Sequence, residues 1–151
     1  MDLEKTYDKI YRYVYFRIKD KTIAEDITQE TFLRCINRKG NMQVYEIRYL
    51  YTTARNLCVD EYRRMKTETL PEDYEEACVQ YDNLEERLTV REAVAKLPIE
   101  DQEILLLRHV NNESMGTISS TLGISRFALY RKLKSAEEKL RAGLEAVDHE
   151  K

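Results

Sequence analysis

The segment that most constrains the fold runs from Ser114 to Leu140 and holds two helical stretches with a glycine between them. Gly123 stands where the first helix must end, because glycine accepts the left-handed conformation of a helix terminus. Ser125 is a favourable N-cap for the second helix. The apolar residues spaced to close a small shared core are Ile118, Leu122, Ile124, Leu129 and Leu133. The pattern predicts two helices joined by a three-residue turn.

The second of these helices is basic and directs polar and aromatic side chains outward. They are Arg126, Phe127, Tyr130, Arg131 and Lys134. Six basic and two acidic residues lie between Arg126 and Arg141, although the whole chain has a net charge of −3. Phosphate contacts need positive charge locally, and a helix pair of this kind places its second helix in a DNA major groove. The alternative is an ordinary pair of bundle helices.

Helical periodicity extends over most of the 151 residues and predicts an all-α fold of two small domains. We expect an N-terminal three-helix domain over residues 1–66, a flexible acidic linker over 67–89 and a helix-turn-helix domain over 90–145. The first helix has an apolar stripe made of Tyr7, Ile10, Tyr11, Val14 and Ile18. Pro98 is expected at the first position of a later helix, whose apolar residues are Ile104, Leu105, Leu107 and Val110.

The second and third helices complete the predicted N-terminal core. Thr22 and Glu25 have the spacing of a capping box for the second helix. The inner face of that helix is predicted to hold Ile23, Ile27, Phe32 or Thr31, Leu33 and Ile36. The third helix is expected to direct inward Ile47, Leu50, Tyr51, Ala54, Leu57 and Cys58.

Several function classes lack support in the sequence. No apolar run is long enough for a membrane span, and the first residues have no apolar secretory core. The cysteines are odd in number, and Cys35 and Cys58 fall on apolar faces, so buried reduced thiols and a cytoplasmic location are expected. No nucleophile–base pair, metal-ligand spacing or glycine-rich phosphate loop occurs, so we expect no enzyme, metal, cofactor or small-molecule substrate.

Four segments, in this order, carry a resemblance to a known family. They read AEDITQETFLR, YLYTTARNLCVDEYRR, LPIEDQEILLLR and LGISRFALYRKLKSAEEKLR. Together they resemble the extracytoplasmic-function group of the sigma-70 family, which are bacterial RNA polymerase initiation factors. The resemblance covers about residues 1–66 and 90–142. It implies a promoter-specificity subunit that binds core RNA polymerase and directs initiation at −10 and −35 promoter elements.

The resemblance also implies roles for particular residues of the N-terminal half. The helix over Ala24–Arg34 would dock on the clamp helices of the largest polymerase subunit through one face made of Asp26, Gln29, Glu30 and Leu33. The third helix and the preceding loop would recognise and melt the −10 region. The residues implied there are Asn41, Met42, Gln43, Arg48, Tyr49, Arg55, Asn56, Arg63 and Arg64. Tyr49 replaces the tryptophan usual in the family, and either stacks on a base or packs on the domain surface.

In the C-terminal half the resemblance implies −35 recognition by six residues of the second helix. They are Arg126, Phe127, Tyr130, Arg131, Lys134 and Ser135. Arginine is the usual bidentate reader of guanine, so Arg131 is the first choice for a base contact. Arg126 and Lys134 suit phosphates. Phe127 stands where the family is usually small, and either reads a thymine methyl or packs on the neighbouring helix.

The implied partners are core RNA polymerase, promoter DNA and a cognate anti-sigma factor that holds the protein inactive. Two alternatives to this interpretation stay open. One is a stand-alone helix-turn-helix regulator whose N-terminal half is a sensor or dimerisation domain. The other is a degenerate sigma-like protein that sequesters polymerase or an inhibitor without starting transcription. The face around Glu30 argues against the first alternative, and the substitution at Tyr49 keeps the second open.

Overall fold

The computed structural model describes residues 3–39, 47–67 and 85–149, and the regular secondary structure in these ranges is entirely helical. The predicted all-α fold is confirmed. The chain forms two compact units that divide between residues 77 and 78. The helices of the first unit are α1 (Leu3–Ile18), α2 (Lys21–Lys39) and α3 (Ile47–Thr67). Those of the second are α4 (Glu85–Ala95), α5 (Ile99–Leu105), a π-helical turn (Leu106–Val110), α6 (Met115–Leu122) and α7 (Arg126–His149).

An aromatic pair lies at the centre of the first unit. The rings of Tyr13 and Tyr51 meet edge to face with centroids 5.4 Å apart, and both side chains are fully buried. The predicted stripe of α1 is correct at Ile10, Val14 and Ile18 but wrong in omitting Tyr13. Tyr7 and Tyr11 are only half-buried because they lie at the edge of the α1 face. Tyr13 lies one turn from Ile10 and faces α3, which places its ring in the core.

The second helix differs from its prediction at both its start and its inner face. Its N-cap is Asp20, whose Oδ1 accepts a hydrogen bond of 3.0 Å from the Ile23 amide, so the predicted Thr22–Glu25 capping box is wrong. The inner face holds Ala24, Ile27, Thr28, Thr31, Phe32 and Cys35, whereas Leu33 and Ile36 are exposed.

Two threonines explain this rotation of α2. The hydroxyls of Thr28 and Thr31 each donate a 2.7 Å hydrogen bond to the carbonyl four residues earlier. A threonine that satisfies its hydroxyl in this way can take a core position. Thr28 and Thr31 are therefore fully buried, while Leu33 is left 54% exposed.

The third helix closes the N-terminal core largely as predicted. Leu50, Tyr51, Ala54 and Cys58 are buried, while Ile47 and Leu57 are half-buried at its margins. Cys35 and Cys58 are buried thiols, which confirms the burial predicted for them. No helix in the described ranges combines the length and apolar character needed to cross a membrane.

The second unit begins its core with α5 and the π-helical turn. Pro98 is the N-cap of α5 and not its first helical residue, so the prediction for Pro98 is off by one position. Ile104, Leu105 and Leu107 are buried as predicted, whereas Val110 is 51% exposed. Val110 is the last residue of the π-helical turn, where i→i+5 hydrogen bonding shifts the side chain away from the face that a continuous α-helix would give it.

The predicted two-helix motif is present as α6, a three-residue turn and α7. Gly123 adopts φ 69°, and its amide donates to the Ser119 carbonyl. Ser125 caps α7 by accepting a 3.0 Å hydrogen bond from the Ala128 amide. Of the predicted shared core, Ile118, Leu129 and Leu133 are buried, whereas Leu122 and Ile124 are half-buried. The motif places α7 with one side on α4–α6 and the other in solvent.

Candidate nucleic-acid and protein interfaces

The outward face of α7 brings together the residues predicted there. Arg126, Phe127, Tyr130, Arg131 and Lys134 are exposed, and Ser135 is half-buried beside them. These positions recur three or four residues apart, which is the spacing of neighbours on one helix face. Their exposure follows from the burial of Leu129, Leu133 and Ala136 on the opposite side of the helix.

The basic side chains of α7 divide into two groups. Lys139 pairs with the Asp101 carboxylate at 3.1 Å, and Lys132 lies 3.7 Å from the Glu100 carboxylate, so both attach α7 to α5. By contrast, Arg126, Arg131 and Lys134 have no acidic partner among the residues that the structure describes. The outward face therefore keeps its positive charge, and its cations can meet phosphates without first breaking an ion pair.

Phe127 and Arg131 contact each other on this face. Phe127 is 77% exposed, so the predicted alternative in which it packs on the neighbouring helix is wrong. The guanidinium carbon of Arg131 lies 5.6 Å from the centre of the Phe127 ring, which is a cation–π distance. The contact was not predicted, although an aromatic residue four positions before an arginine on an exposed helix face is the pattern that could have indicated it.

Arg126 lies over the first turn of α6. A Cβ atom built at Gly116 would come within 2.6 Å of its Nη2 atom, so the guanidinium occupies the space that a larger residue at Gly116 would need. Ser114 caps the same turn by accepting a 3.1 Å hydrogen bond from the Thr117 amide. The first turn of α6 thus has the Arg126 guanidinium beside it.

The third helix presents most of the residues predicted for a second nucleic-acid surface. Arg48, Asn56 and Arg63 are exposed, whereas Tyr49 and Arg55 are half-buried. The Nε atom of Arg55 is buried without a hydrogen-bond partner among the described residues. Asn41, Met42 and Gln43, which were predicted to contribute the base pocket, lie outside the described residues.

Arg64 takes a different position from the other α3 cations. Its Nη2 atom lies 2.6 Å from the Glu61 carboxylate, and its side chain lines a cleft between α2 and α3. The polar residues lining that cleft are Asp26, Glu30, Arg34, Asp60, Glu61 and Arg64. Asp60 and Glu61 were not predicted as part of any interface, because only the pairing of α2 with α3 brings them beside Asp26 and Glu30.

One face of α2 exposes all four residues predicted for protein docking. Asp26, Gln29, Glu30 and Leu33 are exposed together, and Glu30 pairs with Arg34 at 3.0 Å. Leu33 is 54% exposed, so the face combines acidic groups with one exposed apolar side chain. Protein interfaces commonly include both polar and apolar groups.

The described ranges include no cluster of His, Cys, Asp or Glu arranged to hold a metal ion. His109 Nε2 lies 2.7 Å from Glu137, and this largely exposed pair connects the π-helical turn to α7.

The order of the two units matches two family descriptions. The sequence model of Sigma-70 region 2 matches residues 3–68, and that of Sigma-70 region 4 matches residues 87–140. The chain belongs to the sigma-70 family. Its relatives place it in the ECF group: it is 31% identical over 135 residues to the ECF RNA polymerase sigma factor BldN of Streptomyces coelicolor. It is 30% identical over 145 residues to the ECF RNA polymerase sigma factor SigE of Mycolicibacterium smegmatis.

This chain spans only about half the length of those two relatives. The alignments include 81% and 89% of this chain but only 51% and 56% of BldN and SigE. Among solved structures, the sigma factor RpoE of Bartonella quintana, in complex with the anti-sigma factor NepR, aligns with a TM-score of 0.66. That alignment covers 95% of this chain and 94% of RpoE at 15% identity, so it supports the fold.

Proposed function

We propose that this protein is a promoter-specificity factor that binds core RNA polymerase and directs initiation at promoters with −10 and −35 elements. The observation that carries the proposal is the presence, in family order, of both a region 2 unit and a region 4 unit, the second with an exposed basic face on α7. A factor of this kind catalyses no reaction itself and works in the cytoplasm, where the polymerase is.

Each exposed face has a proposed role. The α2 face around Glu30 and Leu33 docks on the polymerase, because its acidic groups and exposed leucine suit a basic, partly apolar partner helix. The α3 face holds −10 DNA through Arg48, Arg55 and Arg63, with Asn56 and Tyr49 available to unstacked bases. Tyrosine offers a stacking surface, so the substitution at Tyr49 is compatible with melting.

Arg64 is a weaker candidate for DNA than its neighbours on α3. Its ion pair with Glu61 at 2.6 Å and its place in the α2–α3 cleft direct it toward the α2 face. We therefore propose that Arg64 supports the polymerase-docking surface and leaves the −10 contacts to the other basic residues of α3.

The α7 face is proposed to enter the major groove of the −35 element. Arg131 reads a base, while Arg126 and Lys134 contact phosphates, and Tyr130 and Ser135 complete the surface. We also propose an anti-sigma partner, since the structurally similar RpoE forms a complex with the anti-sigma factor NepR. An inhibitor that covers these faces would have to offer acidic or amide groups to the exposed cations, because burying them alone is costly.

Run-off transcription on fragmented genomic DNA, with purified core RNA polymerase from the same organism, tests the proposal. New discrete transcripts that require this protein, with start sites that share upstream elements, are the expected result. Binding to core polymerase without transcripts would indicate the degenerate sigma-like alternative. No affinity for core polymerase, combined with specific binding to DNA, would indicate a stand-alone regulator.

A further inference from the structure

We infer that Phe127 and Arg131 form one base-reading unit, in which Phe127 contacts a thymine methyl within two base pairs of the guanine that Arg131 reads. The inference rests on the proposed function and deepens it, since it names the chemical group that Phe127 recognises. Phe127 is the most exposed large hydrophobic side chain among the described residues, at 77%. Exposure alone is common for single apolar residues, so the argument depends on what surrounds the ring.

The first supporting observation is the contact between the two side chains. With its Cζ atom 5.6 Å from the ring centre, the guanidinium of Arg131 is held over Phe127. Arg131 has no ion pair among the described residues that would draw it elsewhere. An arginine supported in this way loses less rotamer freedom when it binds. The bidentate contact between arginine and the O6 and N7 atoms of guanine requires such an orientation.

The second observation is the position of the ring. Phe127 lies between Arg126 and Arg131 along the outward face of α7, so a partner must match an apolar spot surrounded by cations. In the major groove of DNA the thymine C5-methyl is the prominent apolar group, and it is flanked by phosphates. Residues four apart on a helix are about 6 Å apart, which corresponds to about two base steps. This spacing sets the distance between the methyl and the guanine.

The test uses holoenzyme and a promoter identified by the run-off assay. Each thymine of the −35 element is replaced, one at a time, by uracil, which removes only the methyl group. One replacement should weaken binding about fourfold, which is the value expected for one methyl transferred from water to an apolar contact. Each guanine is likewise replaced, one at a time, by 7-deazaguanine, which lacks the N7 acceptor. The replacement at the guanine that Arg131 reads should weaken binding about fivefold. The two sensitive positions should lie within two base pairs of each other.

Variants of the protein assign the two positions. Phe127→Ala should lose at least about fourfold on the natural promoter, because Arg131 also loses its support, and show no further loss when uracil replaces thymine. Arg131→Ala should abolish the response to 7-deazaguanine. Lys134→Ala is the matched control, because a phosphate contact should weaken all templates equally and keep the methyl response. Phe127 is exposed, so its replacement should leave the helical circular dichroism unchanged.

Three results would overturn the inference. In the first, the wild-type holoenzyme binds every uracil-containing template as well as the natural one. In the second, Phe127→Ala keeps the full methyl response. In the third, the two sensitive positions lie more than two base pairs apart. If Phe127→Ala instead impairs capture by an anti-sigma protein and leaves promoter binding unchanged, the ring belongs to a protein interface. If the protein supports no transcription at any promoter, the proposed function itself is wrong. The run-off assay separates that failure from a failure of the inference about Phe127.

Discussion

Two glycines of the second unit should respond to alanine in opposite directions. Gly123 ends α6 with φ 69°, and a Cβ atom there would have no atom within 4 Å. The cost of Gly123→Ala is therefore only the left-handed backbone, about 1–2 kcal/mol. Alanine also reduces the conformational entropy of the unfolded chain, which stabilises the folded state by about 0.4–1 kcal/mol. The net expectation is a destabilisation of about 1 kcal/mol.

Gly143 is inside α7, where the same replacement should be favourable. A Cβ atom at Gly143 would lie 3.7 Å from the Cβ atom of Ala93, which is an ordinary contact distance. Glycine in a helix interior costs about 0.8–1 kcal/mol relative to alanine. We expect Gly143→Ala to stabilise the second unit by about 0.5–1 kcal/mol. The two variants should thus differ by about 2 kcal/mol although the chemical change is identical.

The free energies of unfolding should be measured in urea with the full chain, from the amide NMR signals of α5–α7. Those signals report the second unit independently of the first. Gly123→Asn is the control, because asparagine tolerates the left-handed conformation and should lose less than alanine. Equal effects of the two alanine variants, or a stabilising Gly123→Ala, would refute the helix-terminus conformation assigned to the turn.

Three further perturbations address the cap of α7 and the two proposed interfaces. Ser125→Ala removes the acceptor for the Ala128 amide and should destabilise the second unit by about 1 kcal/mol in the same urea assay; Ser125→Asp should retain most of that stability. Glu30→Lys should weaken binding to core polymerase in a pull-down or titration without changing the fold, whereas Glu25→Lys, an equal charge change elsewhere on α2, should have little effect. Arg131→Ala should weaken binding to the preferred −35 sequence by about 1–3 kcal/mol and relax specificity at one position. An equal loss on every DNA sequence would make Arg131 a phosphate contact.

Sequence reasoning located the helices and the −35 candidate face because both depend on interactions between residues a few positions apart. The left-handed glycine, the serine cap and the outward cations of α7 follow from local chemistry, and the structure contains all of them. The same reasoning failed at the start of α2, where Asp20 and Thr22 are both suitable caps. A local pattern cannot decide between two nearby residues with similar capping ability.

Tertiary structure decided which side of each helix is covered. The sequence by itself determined the helical character of the described ranges and the capped turn before α7, since backbone preferences and caps act within one turn. Only packing placed Thr28 inside and Leu33 outside, because a threonine that bonds its own helix carries no polar penalty in the core. Only packing brought Asp101 to Lys139, 38 residues away, while Arg131 stayed without an ion pair among the described residues. Contacts between distant residues depend on how helices meet, so only the tertiary structure decides which charged groups remain exposed.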